Sequence, residues 1–141
     1  MITVILADDH TVLRDGLRFL LEAQGDIKIV GMAANGQEAI DQASITCPDI
    51  ILMDISMPVM NGIEATKHIC KICEHTKVAI LSMHHTTEYM QRALEAGAVG
   101  YLLKDSAGTE LVTAIRALPS GKRYLSRQVA KSLRDDSAWK N

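Results

Sequence analysis

No excess of charge of either sign marks this chain: 15 Lys and Arg stand against 17 Asp and Glu over 141 residues, a formal net charge of −2. Neither nucleic acid nor an anionic lipid surface therefore exerts a general pull on it. The sequence contains no apolar run of the length a bilayer span requires. Its opening, Met1-Ile2-Thr3-Val4-Ile5-Leu6-Ala7, has no basic leader and runs straight into two acids, which excludes a signal peptide and makes the cytoplasm the expected location. Cysteine is scarce. Cys47, Cys70 and Cys73 make an odd count, so reduced thiols are expected rather than a disulfide framework. Cys70 and Cys73 do form a Cys-x-x-Cys pair, but inside a helical pattern (Ile63, Thr66, Ile69, Cys70, Cys73) and not at the helix N-terminus that would lower a thiol pKa. They read as semi-buried small apolar side chains. Repeats and low-complexity tracts are also missing. So is any glycine-rich or hydroxyl-rich loop after the first strand-like run, where a nucleotide or flavin site would need one.

What the chain does have is core-forming capacity and alternation. Forty-eight percent of it is hydrophobic, and a single domain of this length buries roughly 70% of its unfolded surface. Strand-like and helix-like segments alternate five times, which predicts an α/β fold with a parallel sheet. The first strand covers residues 2–7. The helix after it carries Leu13, Leu17, Leu20 and Leu21 on one face and stops at Gly25. Ile27 to Val30 alternates partly, as an edge strand does. Asn35 with Glu38, and again Asn61 with Glu64, have the spacing of helix-starting capping boxes. A third strand opens after Cys47-Pro48 and ends at Asp54, leaving a loop from Ile55 to Met60 punctuated by Pro58. The fourth strand spans about 78–82. His84, His85 and Thr86 lead into a helix with Met90, Ala93 and Leu94 on one side, closed by Gly97. Val99 to Leu103 is the fifth strand, and Leu111, Ile115 and Leu118 form the stripe of the last major helix, broken by Pro119-Ser120-Gly121. A shorter amphipathic segment with Val129, Ala130 and Leu133 precedes a polar end from Asp135 to Asn141.

Four of the apolar runs stop on residues able to do phosphate chemistry: Asp8-Asp9, Asp54, Ser82 and Lys104. In an open parallel sheet the carboxyl ends of the strands share one edge, and ligands bind outside it. Two carboxylates after the first strand would repel a phosphate unless a cation bridged them, and a hard divalent ion such as Mg2+ suits that donor set. Two carboxylates about 4 Å apart repel by roughly 4 kcal/mol at an effective dielectric of 20, so metal dependence follows from the electrostatics. Asp54, ending the most apolar strand, is the candidate nucleophile, whose attack on phosphorus gives an acyl phosphate. Lys104 would neutralise the added charge, and the Ser82 hydroxyl would donate to a phosphoryl oxygen. The blander alternatives are that Asp8 or Asp9 caps the first helix in competition with Thr11, that Ser82 is a turn residue and that Lys104 is solvated. His10, His84 and His85 read as bystanders or rim residues, because Mg2+ prefers oxygen. Met53, Met57 and Met60 read as packing around the acidic loop.

Asp8-Asp9, Asp54, Ser82 and Lys104, together with Asp54-Ile55-Ser56-Met57-Pro58 and Gly62, resemble the receiver domain of two-component response regulators over residues 2–119. Ala7-Asp8-Asp9-His10 and Gly100-Tyr101-Leu102-Leu103-Lys104-Asp105 look most like the NarL or FixJ branch, and Gly121 to Ser126 resembles the lead into that branch's linker. The resemblance implies a flavodoxin-like, doubly wound (βα)5 fold with strand order 2-1-3-4-5. It also implies a phosphoacceptor domain in residues 1–119 and a linker, short helix and polar tail in 120–141. Asp54 would accept a phosphoryl group from a sensor histidine kinase. Mg2+ would be held by Asp9, Asp54 and the backbone carbonyl of Ser56, with Asp8 acting through water. Ser82 and Lys104 would contact the phosphoryl group, and Tyr101 would switch position with it. Homodimerisation on phosphorylation is a further expectation, with DNA bound only through a C-terminal domain that does not follow residue 119 here. The chain would then be a fragment of a longer regulator or a single-domain one. Asp105 stands where many receivers have Pro. Rival readings are an aspartyl-phosphate phosphatase, whose acid/base position is Ser56 here, a flavodoxin-like binding module, and an inactive pseudo-receiver.

Overall fold

The computed structural model describes residues 1–83, 86–127 and 129–131. His84, His85, Leu133 and the polar end from Asp135 lie outside the described residues. Strands β1 (Ile2–Ala7), β2 (Ile27–Ala33), β3 (Ile50–Met53), β4 (Lys77–Ser82) and β5 (Gly100–Leu103) alternate with helices α1 (Thr11–Glu22), α2 (Gly36–Thr46), α3 (Gly62–Ile72), α4 (Thr87–Glu95) and α5 (Ala107–Ala117). The strands pair in parallel in the predicted order β2-β1-β3-β4-β5. No helix among the described residues is long and apolar enough to cross a membrane.

Strand periodicity divides the core into two layers. Ile5, Ala7, Ile51, Met53, Val78, Ile80, Tyr101 and Leu103 face α2, α3 and α4, where Ala39, Ala43, Ile63, Ile69, Met90 and Ala93 meet them. The alternate residues Val4, Leu6, Ile50, Leu52, Ala79, Leu81 and Leu102 meet Leu17 and Leu21 of α1 and Leu111, Ala114, Ile115 and Leu118 of α5. Because both faces are covered, β3 and β5 are continuous apolar runs rather than alternating ones. Each fully buried Leu or Ile contributes about 1.5–3 kcal/mol relative to exposure.

Two elements differ from the sequence reading. Strand β2 runs three residues past Val30, because a register shift between Val4 and Ile5 skips Val30 and lets Gly31, Met32 and Ala33 pair with Ile5, Leu6 and Ala7. Residues 120–141 were expected to hold only linker, short helix and tail, yet Tyr124–Leu125 forms β6, which pairs in parallel with β5. Two residues carry no periodic signal. They order because β5 would otherwise offer an open edge, closed here by Tyr124 N donating to Val99 O (3.0 Å) and Ser126 N to Tyr101 O (3.0 Å). Ser126 then starts further helical residues, and Val129 is buried in the α2–α4 layer.

Both predicted asparagine caps form. Asn35 Oδ1 accepts from Glu38 N at 2.9 Å while the Glu38 carboxylate accepts from Ala34 N at 2.8 Å, and Asn61 Oδ1 accepts from Glu64 N at 2.9 Å. Gly25 and Gly97 end their helices at φ of 86° and 114°, a region glycine enters without strain. Gly62 serves a different need. A Cβ there would run into the Asp54 carbonyl oxygen and lie 2.8 Å from Met53 Cγ, so only glycine lets α3 start against the end of β3.

Gly62→Ala is therefore expected to destabilise the fold by about 1–3 kcal/mol through overpacking. Gly16→Ala, which meets nothing within 4 Å in the middle of α1, is expected to stabilise it by about 0.5–1 kcal/mol. Urea unfolding of the two variants checks the contrast. Equal effects would contradict the close approach at Gly62.

Candidate functional site

Parallel pairing brings the ends of β1 and β3 together where the chain reverses its direction of travel across the sheet. Asp8 N donates to Ala33 O and Asp54 N to Ala7 O, both at 2.9 Å, so the backbone fixes the two acids before their side chains are considered. Both are buried, with Asp8 4% and Asp54 3% exposed. Asp9 is exposed at the rim. Carboxylate oxygens of Asp8, Asp9 and Asp54 and a ring nitrogen of His10 all lie within 4.8 Å of one another.

Lys104, at the end of β5, reaches back across the sheet edge. Its Nζ is 2.9 Å from Asp8 Oδ2 and 3.2 Å from Asp54 Oδ2. These approaches are short but poorly directed, so both oxygens are ion-paired and shielded from solvent without a well-aligned hydrogen bond. Burial first, then the charge of Asp8, holds the Asp54 carboxyl above the ordinary carboxylate range, and Lys104 only partly offsets them. Burial works to lower the Lys104 pKa, but Asp8 and Asp54 outweigh it and the net direction is upward. One cation thus sits between two acids that remain under-compensated. Buried oxygens with no directed partner, in an oxygen-rich donor set, fit a hard divalent cation, and Asp8, Asp9 and Asp54 are the side chains able to hold it.

Beside this cluster opens a cavity of about 190 Å³ lined by His10, Asp54, Ser56, Met83 and Lys104. Ser56 N donates to Asp54 Oδ1 over a long 3.4 Å. Ser82 is fully buried at the end of β4 and is not among those lining residues. Tyr101, also fully buried, lies on the neighbouring strand β5, close enough for the Ser82 hydroxyl to act on the tyrosine hydroxyl. Burial pushes the Tyr101 hydroxyl up to about 12, against the lowering effect of Ser82.

The bland readings of the acids and the lysine do not survive the geometry. The N-cap of α1 is His10, whose side chain makes no capping bond, and Asp8 Oδ1 accepts from the His10 backbone N–H at 2.8 Å while its Oδ2 faces Lys104. Lys104 is ion-paired, its side chain only 9% exposed. His10 is more than the bystander that its sequence context suggests, and Arg14 joins it. His10 Nδ1 lies 2.9 Å from Asp8 Oδ1, 3.5 Å from Asp9 Oδ1 and 3.4 Å from Lys104 Nζ, which makes it part of the cluster. Arg14, one turn into α1, donates to the Asp8 carbonyl at 3.1 Å. Adjacency to two strand-end acids was the available signal for His10; nothing local singled out Arg14.

The response regulator receiver domain model matches residues 4–116. This chain belongs to the response regulator receiver family. It is 46% identical over 121 residues to the transcriptional regulatory protein YxjL of Bacillus subtilis, covering 86% of this chain and 56% of that protein. The chain thus spans little more than half of that relative's length. A two-component response regulator of the LuxR family from Aurantimonas sp. SI85-9A1 superposes with a TM-score of 0.92 at 36% identity, covering 97% of this chain and 98% of that one. The isolated receiver domain of RcsB from Salmonella enterica serovar Typhimurium, solved with the phosphomimetic BeF3-, gives 0.84 at 27% identity over 93% of this chain and 97% of its own. The receiver family is regulatory rather than catalytic. Its LuxR/NarL-like branch agrees with the motifs around Asp8 and Lys104.

Removing Lys104 leaves two buried carboxylates facing each other, and breaking such a pair costs about 3–5 kcal/mol. A carboxyl whose folded pKa is raised binds more protons folded than unfolded, so its effect on stability becomes more adverse as pH rises through that pKa. Lys104→Met is therefore expected to be strongly destabilised at pH 7 in metal-free buffer and to recover as the pH falls and Asp54 takes up a proton. Urea titrations at pH 7 and pH 5 check this, and equal losses at both would contradict it.

Proposed function

We propose that this receiver domain accepts a phosphoryl group on Asp54 from a sensor histidine kinase, in a Mg2+-dependent reaction, and relays the event to a transcriptional output. The observation that carries the reading is the Lys104 ammonium held between Asp8 and Asp54 beside an open cavity at the carboxyl edge of the sheet. Asp54 supplies the nucleophile. Its carboxylate oxygen forms a bond to phosphorus as the bond from phosphorus to the donor imidazole nitrogen breaks, giving an acyl phosphate. Mg2+, held by Asp9, Asp54 and the Ser56 backbone carbonyl with Asp8 acting through water, would offset the acidic charge that repels an incoming anion. Lys104 is close enough to Asp54 to exchange one carboxylate partner for the new phosphoryl oxygens. The phosphatase rival lacks support, since position 56 carries a hydroxyl and not the carboxyl that acid/base chemistry needs there.

Ser82 and Tyr101 make the switch in this reading. The Ser82 hydroxyl can serve the phosphoryl group only by changing how it bears on Tyr101, so phosphorylation biases an existing pair of arrangements. Tyr101 pairs with Leu125, and its carbonyl accepts from Ser126. A change at Tyr101 would therefore pass directly to the segment after residue 119, which we assign as the connection from the phosphoacceptor body (1–119) to the output. The location is the cytoplasm, and DNA would be contacted through a further domain like those of the longer transcriptional relatives.

Incubation with a small-molecule phosphodonor, followed by intact mass measurement, is expected to show the gain of one phosphoryl group with Mg2+ and none in EDTA or in Asp54→Asn. A gain that persists without metal or in that variant would defeat the assignment. Backbone amide shifts on phosphorylation are expected to extend from Asp54 to Ser82 and Tyr101–Lys104, and onward to Ser126. Shifts confined to 54–62 would contradict the relay.

A further inference from the structure

At the opposite, amino-terminal edge of the sheet the structure pairs thiols differently from the Cys-x-x-Cys spacing. Cys70 and Cys73 diverge: Cys70 Sγ lies against Gly97 O at 3.8 Å, whereas Cys73 Sγ donates to Ala43 O at 3.3 Å. That same Ala43 carbonyl accepts the backbone N–H of Cys47 at 2.7 Å, so one oxygen at the end of α2 gathers both residues. The backbone of Cys47 and the sulfur of Cys73 therefore approach the same point, and the Thr76 hydroxyl donates to the neighbouring Pro48 O at 2.6 Å. Cys47 is the C-cap of α2 at φ 38°, a left-handed conformation uncommon for a residue with a side chain. It is exposed, while Cys73 is only 3% exposed.

We infer that Cys47 and Cys73 form an oxidation site for hydroperoxides, closing an intramolecular disulfide between the ends of α2 and α3. The exposed partner reacts first. The Cys47 thiolate attacks the terminal peroxide oxygen, the O–O bond breaks, the other oxygen leaves as hydroxide or alkoxide and Cys47 becomes a sulfenic acid. The Cys73 sulfur then attacks the Cys47 sulfur. The S–O bond breaks, the Cys73 proton goes to the departing oxygen, and water leaves as the S–S bond forms. Two thiols and one hydroperoxide thus give one disulfide, water and the reduced oxygen product, with two electrons passing from sulfur to oxygen. Burial pushes the Cys73 thiol up to about 11, which keeps it protonated and leaves exposed Cys47 as the thiol that meets the oxidant first. The closed loop would contain β3, Asp54 and all of α3, so oxidation would brace the phosphoacceptor strand from its far end.

The test is to treat the reduced full chain with hydrogen peroxide under native conditions, alkylate the remaining thiols and map the peptides by mass. The expected product is a monomer with a Cys47–Cys73 linked peptide and Cys70 fully alkylated. Cys47→Ser, at an exposed position, is expected to reduce the link to background while retaining the native circular dichroism spectrum, and Cys70→Ala to leave the link unchanged. The oxidised wild type is also expected to unfold at higher urea than the reduced form, a difference absent in Cys47→Ser. A Cys70–Cys73 peptide, a Cys47-linked dimer, or Cys47 accumulating as sulfenic or sulfinic acid without a link would overturn the proposal.

Discussion

A single ammonium between two buried carboxylates is the constraint on which the rest of this structure depends. Lys104 sits within 2.9 Å of Asp8 and 3.2 Å of Asp54, and the three side chains are nearly shut off from water. Buried charges are tolerated only when paired, and one positive charge cannot satisfy two negative ones. The pairing holds the ends of β1, β3 and β5 in register while leaving a residual negative charge beside an open cavity. A cluster satisfied by protein groups alone would have no such demand for a further cation.

The sheet exists, in functional terms, to place those charges. Both faces of its central strands are covered by helices, so the only polar side chains the strands can present are at their ends. Asp8, Asp54, Ser82 and Lys104 occupy those ends in turn. Gly62 and Asn61 set the start of α3 close against the Asp54 backbone, which is why the loop after β3 packs back onto the site. Strand β6 extends the same logic to the output side, joining the segment after α5 to the strand that carries Tyr101 and Lys104.

Strand β3 thus connects two chemically different edges. Its carboxyl end leads into Asp54, and its amino end begins beside Cys47, whose backbone N–H shares the Ala43 carbonyl with the Cys73 thiol. Hard oxygen donors and a fixed ammonium occupy one edge; soft, oxidisable sulfur occupies the other. Pairing by sequence spacing points to Cys70 with Cys73, but α3 ends at Ile72 and extended Cys73 turns toward Ala43 while Cys70 faces Gly97.

Most of the architecture was legible because it is written in local patterns. Apolar runs ending in acids, Asn-x-x-Glu spacings and helix-stopping glycines each act within a few residues, so Asp8, Asp9, Asp54, the Asn35 and Asn61 caps and the turns at Gly25 and Gly97 could be read directly from the order of residues. Strand order and the doubly wound arrangement followed from the alternation together with the family resemblance. Tertiary structure alone decided contacts between residues far apart in the chain: His10 against Lys104 across 94 positions, Cys47 with Cys73 at the Ala43 carbonyl, and β6 on the edge of β5. None of these has a periodicity or a spacing to announce it. They arise because close packing of the sheet and helices fixes which side chains share a point in space, whereas the sequence by itself records only which residues are neighbours along the chain.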